Sequence, residues 1–161
     1  MDMRRLRAGE WIAAASGAAL LVSLFLPWYG TAGGGDASAW EAFAAIDFVL
    51  ALVAASGVAL APVTASQRVP AVPIALSAFV SLAALIGLVL VLVRLANLPG
   101  GVDGREWGLW LGLVAALGLV AGGALAMRDE RLSPTGRHTD LTGKPAPSPP
   151  EIEPVPAPRP E

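Results

Sequence analysis

Few residues in this chain are equipped for chemistry. Cysteine is absent and the single histidine, His138, lies in a polar C-terminal stretch. Thiolate metal sites, disulfides, cysteine nucleophiles and a histidine centre inside the apolar region are therefore excluded by inventory. Asp47 is the carboxylate set well inside an apolar run, AFAAIDFVLALVAAS. A charge at the centre of a bilayer costs about 2.5–3.5 kcal/mol on insertion scales, and less towards the interface, so it needs a partner or a task. Two readings fit: a proton or cation site, or an ion pair that fixes helix register. Arg94, at the end of a later apolar run, is the partner that position favours, with Arg105 second. Asp47 and Arg94 form the candidate buried ion pair. The structural reading is preferred, because one carboxylate off the midplane does not make a transport path. Glu41, Asp103, Arg105 and Glu106 could gather near Asp47, but no spacing among them matches a catalytic arrangement. No catalytic, cofactor or metal site is expected, and the chain reads as a non-enzyme.

At helical spacing Ala44, Asp47, Ala51 and Ala54 share a stripe, with Ile46, Leu50 and Val53 on another. The carboxylate then points into a bundle among small residues. A second pattern is Gly108-Leu-Trp-Leu-Gly112 and Gly118-Leu-Val-Ala-Gly122, two GxxxG matches near a stripe with Ala115 and Ala126. Small residues at that spacing let helices approach closely. Gly108, Gly112, Gly118 and Gly122 are the candidate packing residues, either inside the chain or between two copies, with internal packing expected.

The elements that must hold these residues are set by the apolar runs. A hydrocarbon core of about 30 Å needs roughly 20 apolar residues of helix. Four runs qualify, over about 11–26, 42–61, 73–95 and 107–127, each bounded by Pro, Gly or charge. The predicted fold is all-α: a four-transmembrane-helix bundle (residues 11–127) between a short cytoplasmic N-terminus (residues 1–10) and a cytoplasmic tail (residues 128–161). Ser38-Ala-Trp-Glu41 is a capping-box pattern and marks the start of the second helix. The glycine-rich stretch from Gly30 to Ala39 and the stretch from Asn97 to Glu106 are turn-rich loops, too short to be domains. The first run resembles a signal peptide, but the nearest small-x-small site, Ala37-Ser38-Ala39, lies too far downstream, so the run is expected to be retained. The tail is rich in proline, which removes backbone donors and favours extended polyproline II, so it is predicted to be disordered.

Composition agrees with this organisation. Of 161 residues 55% are hydrophobic and 15% charged, with a mean hydropathy of +0.61, outside the usual range of soluble domains. A net charge of -2 argues against a nucleic-acid binder, which needs a concentrated basic surface. Arg4, Arg5 and Arg7 precede the first run, Arg68 lies between the second and third, and Arg128 and Arg131 follow the fourth. The positive-inside rule then puts both termini in the cytoplasm of a multi-pass protein of the cell membrane. Trp28, Tyr29, Trp40 and Trp107, with Trp110 just below, fall near the outer interface and Trp11 near the inner one, as an aromatic belt would. A cage for a quaternary ammonium would need several rings to converge. The partners expected are the lipid bilayer and either a second copy or another membrane protein, with no nucleic acid and no cofactor.

Leu26-Pro27-Trp28-Tyr29, Trp40-Glu41-Ala42-Phe43 with Asp47, and the Gly108–Gly112 span closing on Met127-Arg128-Asp129-Glu130-Arg131 together resemble a group of small four-helix membrane proteins of actinobacterial type. The resemblance covers roughly residues 8–131 and implies a fold and a membrane location, with no activity to carry over. Small multidrug transporters keep a carboxylate in the first helix, where this chain has none after Glu10. Claudin-like proteins carry paired cysteines and a Gly-Leu-Trp signature in the first outer loop; here Gly-Leu-Trp opens the fourth run and cysteine is absent. The function expected is association or scaffolding, with a small oligomeric transporter or channel subunit using Asp47 as the alternative.

Overall fold

The protein is described by a computed structural model that defines residues 6–31, 33–42, 44–66, 71–98, 100 and 102–130. Within them the chain is mostly helical: α1 (Ala8–Ser23), α2 (Ala39–Ala42), α3 (Ala44–Ser66), α4 (Ala71–Ala96) and α5 (Trp107–Glu130), with short strands β1 (Pro27–Thr31), β2 (Asp36–Ser38) and β3 (Val102–Arg105). Three helices are long and apolar enough to cross a bilayer, over Ala45–Ser66, Ala75–Ala96 and Trp107–Arg128. The proline-rich tail, Arg4, Arg5, Arg68 and Arg131 lie outside the described residues.

Helix ends depart from the sequence reading for local reasons. α3 runs past Pro62 to Ser66; a proline removes one backbone donor, and in an apolar helix the neighbouring turns tolerate that loss. α1 ends at Ser23, and Leu24, Phe25 and Leu26 follow in tight turns, with amides donating to Leu20, Val22 and Ser23. At the other end of α1 the Arg7 amide donates to Glu10 Oε2 at 2.8 Å, which occupies one of the free donors of the first turn.

α1 lies between α3 and α5, and α4 lies between the same two helices on the opposite side. The closest seams are built on glycine. A Cβ at Gly122 would meet the backbone of Ala13 on α1, with Ala13 Cα at 2.8 Å, and one at Gly9 would meet the backbone of Ala126. Gly118 faces Ser16, Gly112 faces Trp28 with Cζ2 at 2.9 Å, and Gly108 faces the Pro27 carbonyl. All four glycines of the α5 motifs thus abut α1 or the chain that follows it. On the next seam Gly17 would place a Cβ 2.9 Å from the Val58 nitrogen, and Gly57 one 3.1 Å from the Ala13 carbonyl oxygen.

The expected loops form a sheet of order β2-β1-β3, antiparallel throughout. It covers the end of the bundle where α1 and α4 finish and α3 and α5 begin. In the β1–β2 register Pro27 pairs with Ser38 and Tyr29 with Ala37, so Trp28 is the extra residue of a bulge. A bulge re-aims side chains, and here consecutive residues, Trp28 and Tyr29, are both fully buried. They join Leu24, Leu50, Val91, Leu109 and Ala116 in one core cluster, which ties the sheet to the helices.

Candidate functional site

Under the sheet, α3 and α4 bring their polar residues together. Asp47 lies in the first turn of α3 and Arg94 in the last turn of α4. Arg94 Nη2 stands 2.5 Å from both Asp47 oxygens, with 1% of Arg94 and none of Asp47 exposed. Both helix dipoles favour the arrangement, since a carboxylate sits at a positive N-terminus and a guanidinium at a negative C-terminus. The buried stripe of α3 is broader than the small-residue stripe read from spacing. Leu50 and Val53 are buried with Asp47 and Ala54, while Ala51 is half-buried.

Two aromatic rings close over the guanidinium. Its central carbon is 5.8 Å from the Trp28 ring centroid and 6.0 Å from that of Tyr29, within cation–π reach. Trp28 and Tyr29 are therefore not interfacial belt residues, because the bulge turns both inward. Rings do converge on a cation here, but the cation is the chain's own. Trp11, Trp107 and Trp110 are each at least half exposed, and Trp40 packs its ring against Phe25 at 5.9 Å.

Polar groups of the lid finish α4, whose last carbonyls have no partner within the helix. The Tyr29 hydroxyl donates to the Arg94 carbonyl at 3.4 Å, Arg105 Nε to the Leu95 carbonyl at 2.7 Å, and the Asn97 backbone and side-chain nitrogens to the Val93 carbonyl at 2.9 and 3.0 Å. Trp28 Nε1 donates to the Ser23 carbonyl at 2.7 Å, anchoring the lid to α1. Arg105, the second candidate partner of Asp47, is thus engaged with the end of α4. Burial pushes the Tyr29 phenol above its ordinary value, against the lowering pull of the Arg94 guanidinium.

The remaining charged candidates do not converge. Glu41 Oε2 accepts from the Ser38 amide at 2.7 Å and its hydroxyl at 2.9 Å, which holds the Glu41 carboxyl below its ordinary range. This cap opens the four-residue α2 rather than the long helix. Glu106 lies beside Gly30 and Asp103 is exposed. Among the described residues no three of His, Cys, Asp or Glu are grouped to hold a metal ion. The hydroxyls of Ser23, Ser56 and Ser81 donate to the carbonyls of Leu20, Val53 and Ser77, each in its own helix.

No protein family, curated protein or solved structure matches this chain.

Proposed function

We propose that the chain is a multi-pass protein of the cell membrane with four spans and both ends in the cytoplasm, and that it acts by association, with itself or with another membrane protein, without catalysing a reaction. The first span would be α1 continued through Leu24, Phe25 and Leu26; the Pro27 carbonyl reaches Gly108 in the first turn of α5, so this wall extends as far outward as its neighbour. The lid lies at the end of the bundle away from Arg7 and Arg128, and in the sequence Arg4, Arg5, Arg68 and Arg131 adjoin the helix ends on the Arg7 side. That distribution supports an outward-facing lid. The half-exposed Trp107 and Trp110 beside the lid and Trp11 at the other end suit the two interfaces.

The observation that carries association over transport is the closed Asp47–Arg94 pair. Its carboxylate is fully buried and neutralised by a guanidinium that Trp28 and Tyr29 roof, whereas a transport site needs water to reach the ionisable group. The hydroxyls of Ser23, Ser56 and Ser81 are each committed to a carbonyl of their own helix. In the association reading the pair fixes the register of α3 against α4.

The test joins two measurements on the full chain. Proteoliposomes should show no proton or cation flux above empty vesicles, and copurification in mild detergent should yield a stoichiometric partner or a defined oligomer. Flux that Asp47→Asn abolishes while assembly is intact would install the transporter reading instead. Comparison with a chain truncated after Arg131 then assigns recognition to the tail, if the partner is lost, or to the helices and lid, if it is retained.

A further inference from the structure

The geometry points to β3 as the edge through which two copies of this chain pair within one membrane, an inference that rests on the association reading above. β3 is paired on one side only, with β1. The Glu106 amide donates to the Trp28 carbonyl at 2.9 Å, and Gly30 faces Gly104 two residues further along the same ladder. Backbone groups alternate between the two sides of a strand, so those of Arg105 point away from β1. Asp103 is passed over by the register, which steps from Gly104 opposite Gly30 to Val102 opposite Thr31. The outer edge of β3 therefore offers the backbone of Asp103 and Arg105.

The sequence of that edge is complementary to itself. When an Asp-Gly-Arg strand pairs antiparallel with its own copy about the glycine, each aspartate faces the partner copy's arginine. Opposite charges directly across a ladder attract and like charges repel. Asp103 and Arg105 are both exposed, and while Arg105 Nε donates to the Leu95 carbonyl, a guanidinium carries further N–H donors on its two terminal nitrogens. Gly104 falls on the two-fold axis. Its φ is not positive and a Cβ there would meet nothing within 4 Å, so neither the conformation nor the packing of a single copy calls for glycine. A glycine at the centre lets two strands approach closely. Short length, a bulge and charge make an edge resist unrelated strands; here the charge order admits one partner, a second copy.

Membrane topology is compatible. Tyr29 and Arg105 form a cross-strand pair, and both reach the end of α4, so that face of the sheet is turned to the bundle and the sheet lies across it. The two-fold axis of an antiparallel edge pair is normal to the sheet and hence runs along the bundle, as two copies inserted in the same direction require. A four-residue edge buries little by itself, and Trp107 and Trp110, half exposed directly after β3, supply apolar surface beside it.

The absence of native cysteine makes the test direct. Gly104→Cys introduces one thiol per chain at the axis, where facing Cα atoms of a non-hydrogen-bonded pair lie about 4.5 Å apart, within the range of about 4.4–6.8 Å that a disulfide spans. Mild oxidation of the full chain in proteoliposomes at low protein-to-lipid ratio should link Gly104→Cys into a dimer and leave Gly33→Cys, in the opposite hairpin turn, unlinked. Asp103→Arg and Arg105→Asp should each weaken self-association about tenfold, by subunit counting in single vesicles, and the double exchange should restore it. Equal linking of the two cysteine variants, or an exchange that rescues nothing, overturns the edge. A chain that associates but ignores these substitutions refutes β3 and leaves the association reading standing. A chain stripped from membranes by alkaline carbonate refutes the membrane reading itself.

Discussion

The seam between α1 and α5 and the lid end of the seam between α3 and α4 hold helices together by opposite means. The first removes side chains: Gly9 and Gly122 bring two backbones into contact, and Gly118 makes room for the Ser16 side chain. The second buries two full charges and covers the guanidinium with indole and phenol. In lipid the hydrophobic effect gives helices little reason to associate, so close packing and polar contact remain as the forces available. Packing works at any depth. A charge pair is best placed near an end, where helix dipoles assist it and a lid can exclude water. The core away from the lid uses Ala13, Leu20, Ala54, Leu119 and Ala126, whereas the charges lie under the sheet.

The charge pair should be the more fragile of the two when only half of it is removed. Arg94→Met leaves the Asp47 carboxylate buried without its counter-ion, which costs about 3–5 kcal/mol. Replacing both residues, Asp47→Leu with Arg94→Met, should recover most of that loss, because a buried pair exchanged for apolar groups of similar volume is often near neutral. Unfolding in mixed micelles measures both. If the double variant is as unstable as the single one, the pair holds more than the register of two helices.

A methyl group tests the glycine seam. Gly122→Ala drives a Cβ into the backbone of Ala13, and since backbone cannot rotate aside the helices must part, at a cost of about 1–3 kcal/mol. Gly33→Ala, in open space, should leave the melting temperature unchanged. No loss at Gly122 would mean that the seam is looser than its geometry.

Much of this contrast was legible in the sequence, and the remainder was hidden for physical reasons. Apolar runs over about 42–61, 73–95 and 107–127 located the three long helices, because a span must be both apolar and continuous. Their ends were less accurate: proline reads as a stop, yet α3 continues through Pro62. Asp47 stood out because an ionisable group in an apolar run has few tolerable settings. The glycine spacing of α5 showed a packing face, but not that α1 occupies it, since the small-residue spacing of α1, Gly9-x3-Ala13-x3-Gly17, does not say which helix it meets and Gly17 faces α3. The sheet left almost no trace. Strands of three to five residues are too short for alternation, and the bulge at Trp28 breaks it where Trp28 and Tyr29 turn inward. No spacing in the sequence marks those two as the roof of Arg94.

The lid should yield before either seam when the pH rises. Tyr29 is the single tyrosine of the chain, and its folded value lies above the ordinary 10.0 because of burial. Between the unfolded and folded values the unfolded chain has lost this proton and the folded chain has kept it, so stability falls as pH rises through that window. The contribution is fully present below about 10. Tyrosinate absorbance should therefore titrate late in the folded protein and at its ordinary value in denaturant. Tyr29→Phe should flatten the alkaline decline in stability. Coincident titrations in the two states would mean that water reaches the phenol and the lid does not close.

The smallest effect is expected at Glu41, which sharpens the comparison because it repeats the chemistry of Asp47 in water. Both carboxylates accept hydrogen bonds at the start of a helix, but Glu41 is solvent-exposed and its donors are the amide and hydroxyl of Ser38. Those bonds lower its folded value below the ordinary 4.5. Their contribution is present above the unfolded value and is lost as pH falls through the folded one. The Ser38 amide resonance should follow that titration, and Glu41→Gln should alter it without moving the global melting temperature. A large global loss on this substitution would show that α2 and β2 carry the lid, and that the outer end depends on more than the buried pair.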